Sequence, residues 1–172
     1  GRGIQRVEEI LDGQFASYSY ARLDRDTARK RGFADDVMQT MRAGGIDIMI
    51  GTQMIAKGFD IKGVTLVGVL AIDQMLTAAD FRASENAWQL LSQVVGRSGR
   101  HKPGEVVIQT MAPEHPVIRS VASHDADAFY QYEADIRRKT KYPPFAELAR
   151  ILLSAEDENH LHRIAEKLAH DI

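Results

Sequence analysis

The stretch Ile46-Asp-Ile-Met-Ile-Gly-Thr-Gln-Met-Ile-Ala-Lys-Gly-Phe-Asp60 passes from an apolar run into a polar one that carries two glycines. Ile46, Ile48, Met49 and Ile50 alternate only in part, which predicts a buried strand. Gly51 to Asp60 then falls in the loop at the carboxyl end of that strand, the edge of an open α/β sheet where ligands bind. The residue types suit a phosphorylated ligand. Gly51 and Gly58 permit close backbone approach or unusual dihedrals. Thr52 offers a hydroxyl and a backbone N–H to a phosphate, and Gln53 offers an amide. Lys57 adds a cation, and Asp60 can accept hydrogen bonds from a ribose hydroxyl. The same residues also fit an ordinary glycine-bearing strand-to-helix turn with polar groups on the surface.

The flanking sequence sets this loop in an alternating pattern. Val7, Ile10 and Leu11 predict a helix over Arg6 to Leu11, and Tyr18 to Leu23 reads as a short strand. Val37, Met38 and Met41 followed by Gly44-Gly45 predict a helix with a glycine stop. Val64 to Leu70 is a near-continuous apolar run, as expected of a strand covered on both faces. Asp80 to Val95 reads as a helix ending near Gly96, and Glu105 to Thr110 as a strand entered through Lys102-Pro103-Gly104. Strands and helices in alternation predict an α/β fold, a parallel sheet with helices on both faces.

Beyond Met111 the composition changes. Pro113 and Pro116 bracket Glu114-His115, and Val117 to Lys139 is predominantly helical, with Phe129, Tyr130, Tyr132 and Ile136 available for packing. Tyr142-Pro143-Pro144 breaks the helix. Glu147 to Ser154 reads as a strand and Glu158 to Ala169 as an amphipathic helix. One strand and one helix do not make a stable unit alone. The expected organisation is therefore a lobe over residues 1–112, a helical connector over 113–142, and the beginning of a second small α/β domain over 143–172.

A second segment, Gln93-Val-Val-Gly-Arg-Ser-Gly-Arg100, carries chemistry of its own. Arg97 and Arg100 lie three apart and can face one side of a helix end. Gly96 and Gly99 clear space around them. The planar guanidinium stays charged and suits phosphate recognition, including the negative charge on a transferring phosphoryl group. The plainer reading is a helix C-terminus whose basic residues favour the dipole, followed by a glycine turn.

Composition bounds the rest. A chain of 172 residues with 44% apolar and 27% charged residues is ordinary for a globular protein. No run of about 18 apolar residues predicts a membrane span, and no signal-peptide core stands near the start. With no cysteine, disulfides and thiolate metal sites are excluded within the chain, and a cytoplasmic location is expected. The formal net charge of −2 weighs against a large independent nucleic-acid surface. Of the six histidines, only His160 and His162 stand close together, on different sides of a helix, and both read as surface residues. The start Gly1-Arg2-Gly3, without Met, and the end Ala169-His170-Asp171-Ile172, inside a helical pattern, are expected to be cuts through a longer protein. Asp80 is expected to cap the helix that follows it and Phe81 to fill core; contact of Arg82 with DNA is the alternative role for this stretch.

Taken in order, with a strand and a helix between them, Gly51–Asp60 and Gln93–Arg100 resemble motifs V and VI of superfamily 2 helicases. The flanking text is similar to the PriA-type family of replication-restart DNA helicases within that superfamily. Leu23-Asp-Arg-Asp-Thr27 is similar to that family's "RIDRDT". Ile50 to Gly58, Val64 to Val67, Ala79 to Glu85, Gln89 to Gln93, Pro113 to Pro116 and Tyr142 to Phe145 continue the resemblance over nearly the whole chain. Two positions depart from it. Val94 stands where many superfamily members have a basic residue, and Phe59-Asp60 where some PriA-type proteins have His-Asp or His-His.

The resemblance implies a RecA-like second motor lobe of an ATP-dependent 3′→5′ DNA helicase acting in replication restart and primosome assembly. Carried over by position, Thr52, Gln53 and Lys57 would serve DNA binding, with Thr52 on a phosphate. Gly58 and Asp60 would lie near the nucleotide, with Asp60 toward the ribose. Gln93, Arg97 and Arg100 would face the ATP phosphates, the arginines as fingers. ATP and Mg²⁺ are the implied cofactors of the whole protein, with zinc in a cysteine-rich module upstream. Forked or single-stranded DNA, primosome proteins and single-strand-binding proteins are the implied partners. The chain has no Gly-x-x-x-x-Gly-Lys-Ser/Thr loop and no Asp-Glu-x-His-type Mg²⁺ site, so it is expected to be inactive alone. A lobe of another superfamily 2 translocase or RNA helicase, or a non-catalytic interaction domain on the same fold, is the alternative.

Overall fold

The computed structural model describes residues 2–24, 27–29, 32–53, 55, 63–97 and 104–171. It divides into two compact units, Gly1–Glu133 and Ala134–Ile172.

The first unit begins with α1, Arg2–Gln14, which carries Leu11 into the core. Strand β1, Tyr20–Leu23, pairs in parallel with β2, Ile48–Gly51, so that Tyr20 stands opposite Ile48 and Leu23 opposite Gly51. The starts of the two strands are tied together. The Ser19 backbone N–H and hydroxyl both donate to the Asp47 carboxylate at 2.8 Å, and the Asp47 N–H donates to the Ser19 carbonyl at 2.9 Å. Between the strands lie a turn of 3-10 helix, Thr27–Arg29, and α2, Phe33–Arg42, which buries Val37 and Met38. α2 stops as its glycines predict. Gly44 is left-handed at φ 78°, its N–H bonds to Met41 O, and the Gly45 N–H reaches back to Thr40 O. This is a Schellman closure, in which only glycine is free of steric cost at the left-handed position.

Strand β3, Leu66–Val69, pairs in parallel with β4, Glu105–Ile108. Between them stand α3, Asp73–Leu76, and α4, Ala83–Arg97. α5, Pro116–Ala122, and α6, Ala126–Thr140, follow. Ile72, Ala87, Leu90, Leu91, Val117, Ile118, Val121 and Phe129 form the main core, with Val69 and Ile108 packed against it. Parallel strands joined through helices confirm the α/β class.

Four expectations are corrected. Among the described residues the strands form two parallel ladders of two strands each, not one continuous sheet. The Val64–Leu70 run is covered on one face only: Val69 faces the core while Leu66 is 60% exposed. The single helix expected over Val117–Lys139 is two helices, because His124 takes a left-handed φ of 55° and the Asp125 carboxylate accepts the Ala128 N–H at 2.9 Å, starting a new helix. Short polar side chains bond their own backbone and so favour helix starts over helix interiors. Lastly, Glu147–Ser154 is irregular chain, not a strand. A strand is held by its ladder partner, and this segment has none among the described residues.

In the second unit, Arg138 lays its guanidinium over the Phe145 ring at 4.7 Å, and Arg137 Nη1 donates to the Pro143 carbonyl at 3.3 Å. α7, Glu158–Asp171, starts on Asp157, whose carboxylate accepts the N–H groups of Asn159 and His160. His160 and His162 are exposed, as expected. Among the described residues no helix is long and apolar enough to cross a membrane.

Candidate functional site

The carboxyl ends of β1 and β2 are built around a close backbone approach. A Cβ placed on Gly51 would come closer than 3.0 Å to the Leu23 carbonyl oxygen and to Ile55 Cδ1. Glycine is required there by space, not by its dihedral. The chain then bends at Thr52, whose carbonyl accepts the Ile55 N–H at 3.1 Å. Thr52 and Gln53 are left exposed beside the strand end.

The residue that follows β1 is fixed by hydrogen bonds on both carboxylate oxygens. Asp24 is 5% exposed. Its Oδ1 accepts the Thr27 N–H at 2.9 Å, and its Oδ2 accepts from Arg22 Nε at 2.8 Å and from Arg22 Nη2. Arg22 Nη1 continues to Glu8 on α1 at 2.8 Å. The Thr27 N–H first, and then the Arg22 guanidinium, hold the Asp24 carboxyl far below the usual carboxylate range.

On the other side of the site, α3 is anchored by Asp73. Its carboxylate accepts the Thr110 hydroxyl at 2.7 Å and the Met111 N–H at 3.0 Å, and these two contacts lower its pKa. This pins α3 to the chain leaving β4 and fixes Met75, whose sulfur accepts from Gln53 Nε2 at 3.5 Å. α4 is started by Asp80, whose Oδ1 accepts the Arg82 N–H at 2.9 Å. The structural role expected of Asp80 is what the geometry gives. Phe81 is half-buried, under the Arg82 guanidinium at 5.2 Å.

Asn86, Gln89 and Gln93 share one exposed face of α4, at helical spacings of three and four. That face and Gln53 line an open depression of about 330 Å³. Met75, Leu90 and Ala83 supply its apolar lining. The structure thus brings Gln53 and Gln93, from the two segments singled out in the sequence, to one concavity, with Thr52 adjacent in the chain. Arg97 is the last residue of α4. Its side chain, together with Lys57, Gly58, Asp60 and Arg100, lies outside the described residues. Among the described residues no group of three or more His, Asp or Glu forms a metal site. Asp73, Met75, Asn86 and Gln89 escaped the sequence reading. Asn86 and Gln89 share the helical face of Gln93, at spacings of three and four, whereas the Asp73 anchor is a long-range contact with no local signature.

The profile of the helicase conserved C-terminal domain matches residues 2–102. The chain is 46% identical, over 171 residues, to the replication restart protein PriA of Bacillus subtilis, covering 99% of this chain and 21% of that protein. It is 38% identical over 170 residues to the protein of the same name from Synechocystis sp. (98% and 20%), and 40% identical over 172 residues to that of Chlamydia pneumoniae (95% and 23%). The chain spans about a fifth of the length of these curated relatives.

Proposed function

This chain belongs to the helicase conserved C-terminal domain family, and from that premise we propose that it acts as the second motor lobe of an ATP-driven DNA helicase of replication restart, translocating 3′→5′. The observation that carries the reading is the meeting of Gln53 and Gln93 at one depression, at the carboxyl end of β2 and on the exposed face of α4. Loop and helix are the two segments whose residue types suit phosphates, and they converge where an open α/β fold binds ligands.

In this reading Thr52, with Gln53 and Lys57, holds the DNA strand. Gly58 and Asp60 border the nucleotide. Gln93, Arg97 and Arg100 face the ATP phosphates. Negative charge spreads over the transferring γ-phosphoryl group, and a guanidinium that stays protonated lowers its energy without moving a proton. The phosphate cradle and Mg²⁺ belong to a preceding lobe, and a zinc-bearing cysteine module stands upstream, so this lobe alone is inactive. Residues 1–112 carry the motor segments of the lobe, the helices over 113–142 contribute Val117, Ile118, Val121 and Phe129 to its core before leading out of it, and 143–172 start a further domain. Primosome and single-strand-binding proteins are the partners of the whole machine, which works in the cytoplasm.

DNA-stimulated ATP hydrolysis by the whole protein tests this reading. Arg97→Ala and Arg100→Ala are each expected to lower turnover by roughly 10³-fold. Unchanged turnover in both variants overturns the finger assignment. Stimulation by RNA equal to that by forked DNA favours an RNA-directed member of the superfamily instead. Unwinding of duplexes with a 3′ tail but not a 5′ tail checks polarity.

A further inference from the structure

The last turn of α6 and the chain that leaves it gather positive charge. Residues 136–146 hold Arg137, Arg138, Lys139 and Lys141 and no carboxylate, in a chain whose formal net charge is −2. Basic side chains in a last turn favour the helix dipole, which accounts for Arg137, Arg138 and Lys139. It does not account for Lys141. That residue lies beyond the helix at a left-handed φ of 56°, and the Tyr142 N–H after it reaches back to the Arg137 carbonyl at 2.8 Å. In such a closure glycine is free of steric cost and a side chain is not, yet a lysine stands there. The turn is braced by Arg137 Nη1 on the Pro143 carbonyl at 3.3 Å and by the Phe145 N–H on the Tyr142 carbonyl at 3.0 Å. Arg138 pairs with Asp135 at 2.7 Å and lies over the Phe145 ring, which is still 43% exposed. Lys139 and Lys141 are exposed and meet no carboxylate among the described residues.

We propose that this turn grips single-stranded DNA, with Lys139 and Lys141 on phosphates and Phe145 against a base. The proposal rests on the helicase reading above and adds to it a contact outside the motor segments. An ammonium group binds a phosphate oxygen as a point charge and needs no fixed approach, which suits a strand that moves past. A guanidinium laid on an aromatic ring makes a platform both cationic and apolar, on which bases stack without regard to sequence. The exposed ring favours a nucleic acid over an acidic peptide: a run of carboxylates uses the lysines alone, whereas a base uses the ring as well. The left-handed lysine is the local sign of that use. Backbone strain kept where glycine fits better points to a task for the side chain.

The test is fluorescence anisotropy of a labelled oligothymidylate titrated with the full chain over a range of salt concentrations. Lys139→Gln combined with Lys141→Gly is expected to flatten the slope of log K against log salt by about 1.4, the share of two phosphates. Lys141→Gly alone is expected to hold or raise the urea midpoint, so that lost binding is not lost folding. Phe145→Leu keeps an apolar side chain and removes the ring. It is expected to keep the slope and to lower affinity roughly fivefold or more for oligothymidylate, but not for an abasic strand of equal length. Lys167→Gln removes an exposed cation of α7 and is expected to leave slope and affinity unchanged. A slope unchanged by the double variant overturns this contact and leaves the DNA reading of the motor segments intact. A loss per lysine as large in Lys167→Gln overturns it too, by assigning the effect to net charge. Binding of a polyglutamate peptide as tight as that of oligothymidylate, with no effect of Phe145→Leu on either, gives the turn to an acidic protein segment instead. Absence of binding to every strand overturns the DNA reading, and this contact with it.

Discussion

Gly51 stands directly opposite Leu23 at the last rung of the β1–β2 ladder, so close that any β-carbon there would enter the Leu23 carbonyl oxygen. The two residues end their strands together, and each is followed at once by a polar residue, Asp24 after one and Thr52 after the other. The close approach sets the two strand ends side by side. It ties the Thr52 position to the Arg22–Asp24–Thr27 hydrogen bonds, and through Arg22 to Glu8 on α1.

Gly51→Ala is therefore expected to destabilise the chain, at the upper end of the range of about 1–3 kcal/mol typical of overpacking, because the obstacle is backbone and not a mobile side chain. Urea denaturation reads the change. Gly13→Ala in the last turn of α1, where a Cβ meets nothing within 4 Å, is the control, expected to stabilise by about 0.4–1 kcal/mol through the lost freedom of the unfolded chain. Equal behaviour of the two variants would falsify the steric account.

Phe129, 1% exposed, stacks on Trp88 with ring centroids 4.7 Å apart and planes 6° from parallel. Trp88 is the chain's one tryptophan, so tryptophan fluorescence reports the surroundings of this one indole, which also meets the Tyr130 ring at 5.5 Å. Phe129→Ala is expected to cost about 3–5 kcal/mol and to shift Trp88 emission to the red in the folded state. Phe129→Leu keeps most of the volume and costs less. Native-like emission from Phe129→Ala would show that the stack does not shape the environment of the indole.

What the sequence made legible follows the range of the forces involved. The strands beginning at Tyr20, Ile48, Leu66 and Glu105, and the stop of α2 at Gly44, are written locally, in apolar runs and glycine placement. So were Thr52, Gln53 and Gln93 as polar residues at a strand end and a helix end. The irregular Glu147–Ser154 shows the limit: Leu148, Ile151 and Leu152 carry strand-like apolarity, yet a strand exists only when a partner ladder satisfies its backbone, and a single segment does not state its partner. Leu152 is instead 82% exposed. Asp73 shows the same limit at the site, since its contacts with Thr110 and Met111 cross 37 and 38 residues of chain.

The acid side of the stability curve is expected to rest on three carboxylates held below their ordinary value of 3.8: Asp24 by the Thr27 N–H and Arg22, Asp47 by Ser19, and Asp73 by the Thr110 hydroxyl and the Met111 N–H. A carboxylate with a lowered folded-state pKa contributes stability that is present above its unfolded value and lost as pH falls through the folded one. The urea midpoint should hold from neutral pH down to that value and fall steeply below it. Asp24→Asn keeps an oxygen for the Thr27 N–H but loses the charge facing Arg22. It should lower the midpoint near neutral pH and flatten the acid limb. A limb as steep as in the unsubstituted chain would place the titration elsewhere.

Binding of single-stranded DNA should depend on salt in proportion to the phosphates neutralised, each adding about −0.7 to the slope of log K against log salt. Lys57→Ala should flatten that slope by about 0.7, the share of one cation. Thr52→Ala removes a neutral donor, so the slope should stay and the affinity fall by about 1 kcal/mol at every salt concentration. The two variants thus separate charge from hydrogen bonding at positions five apart in the sequence. A slope untouched by Lys57→Ala would remove that lysine from the DNA path and leave the strand held by Thr52 and its neighbours.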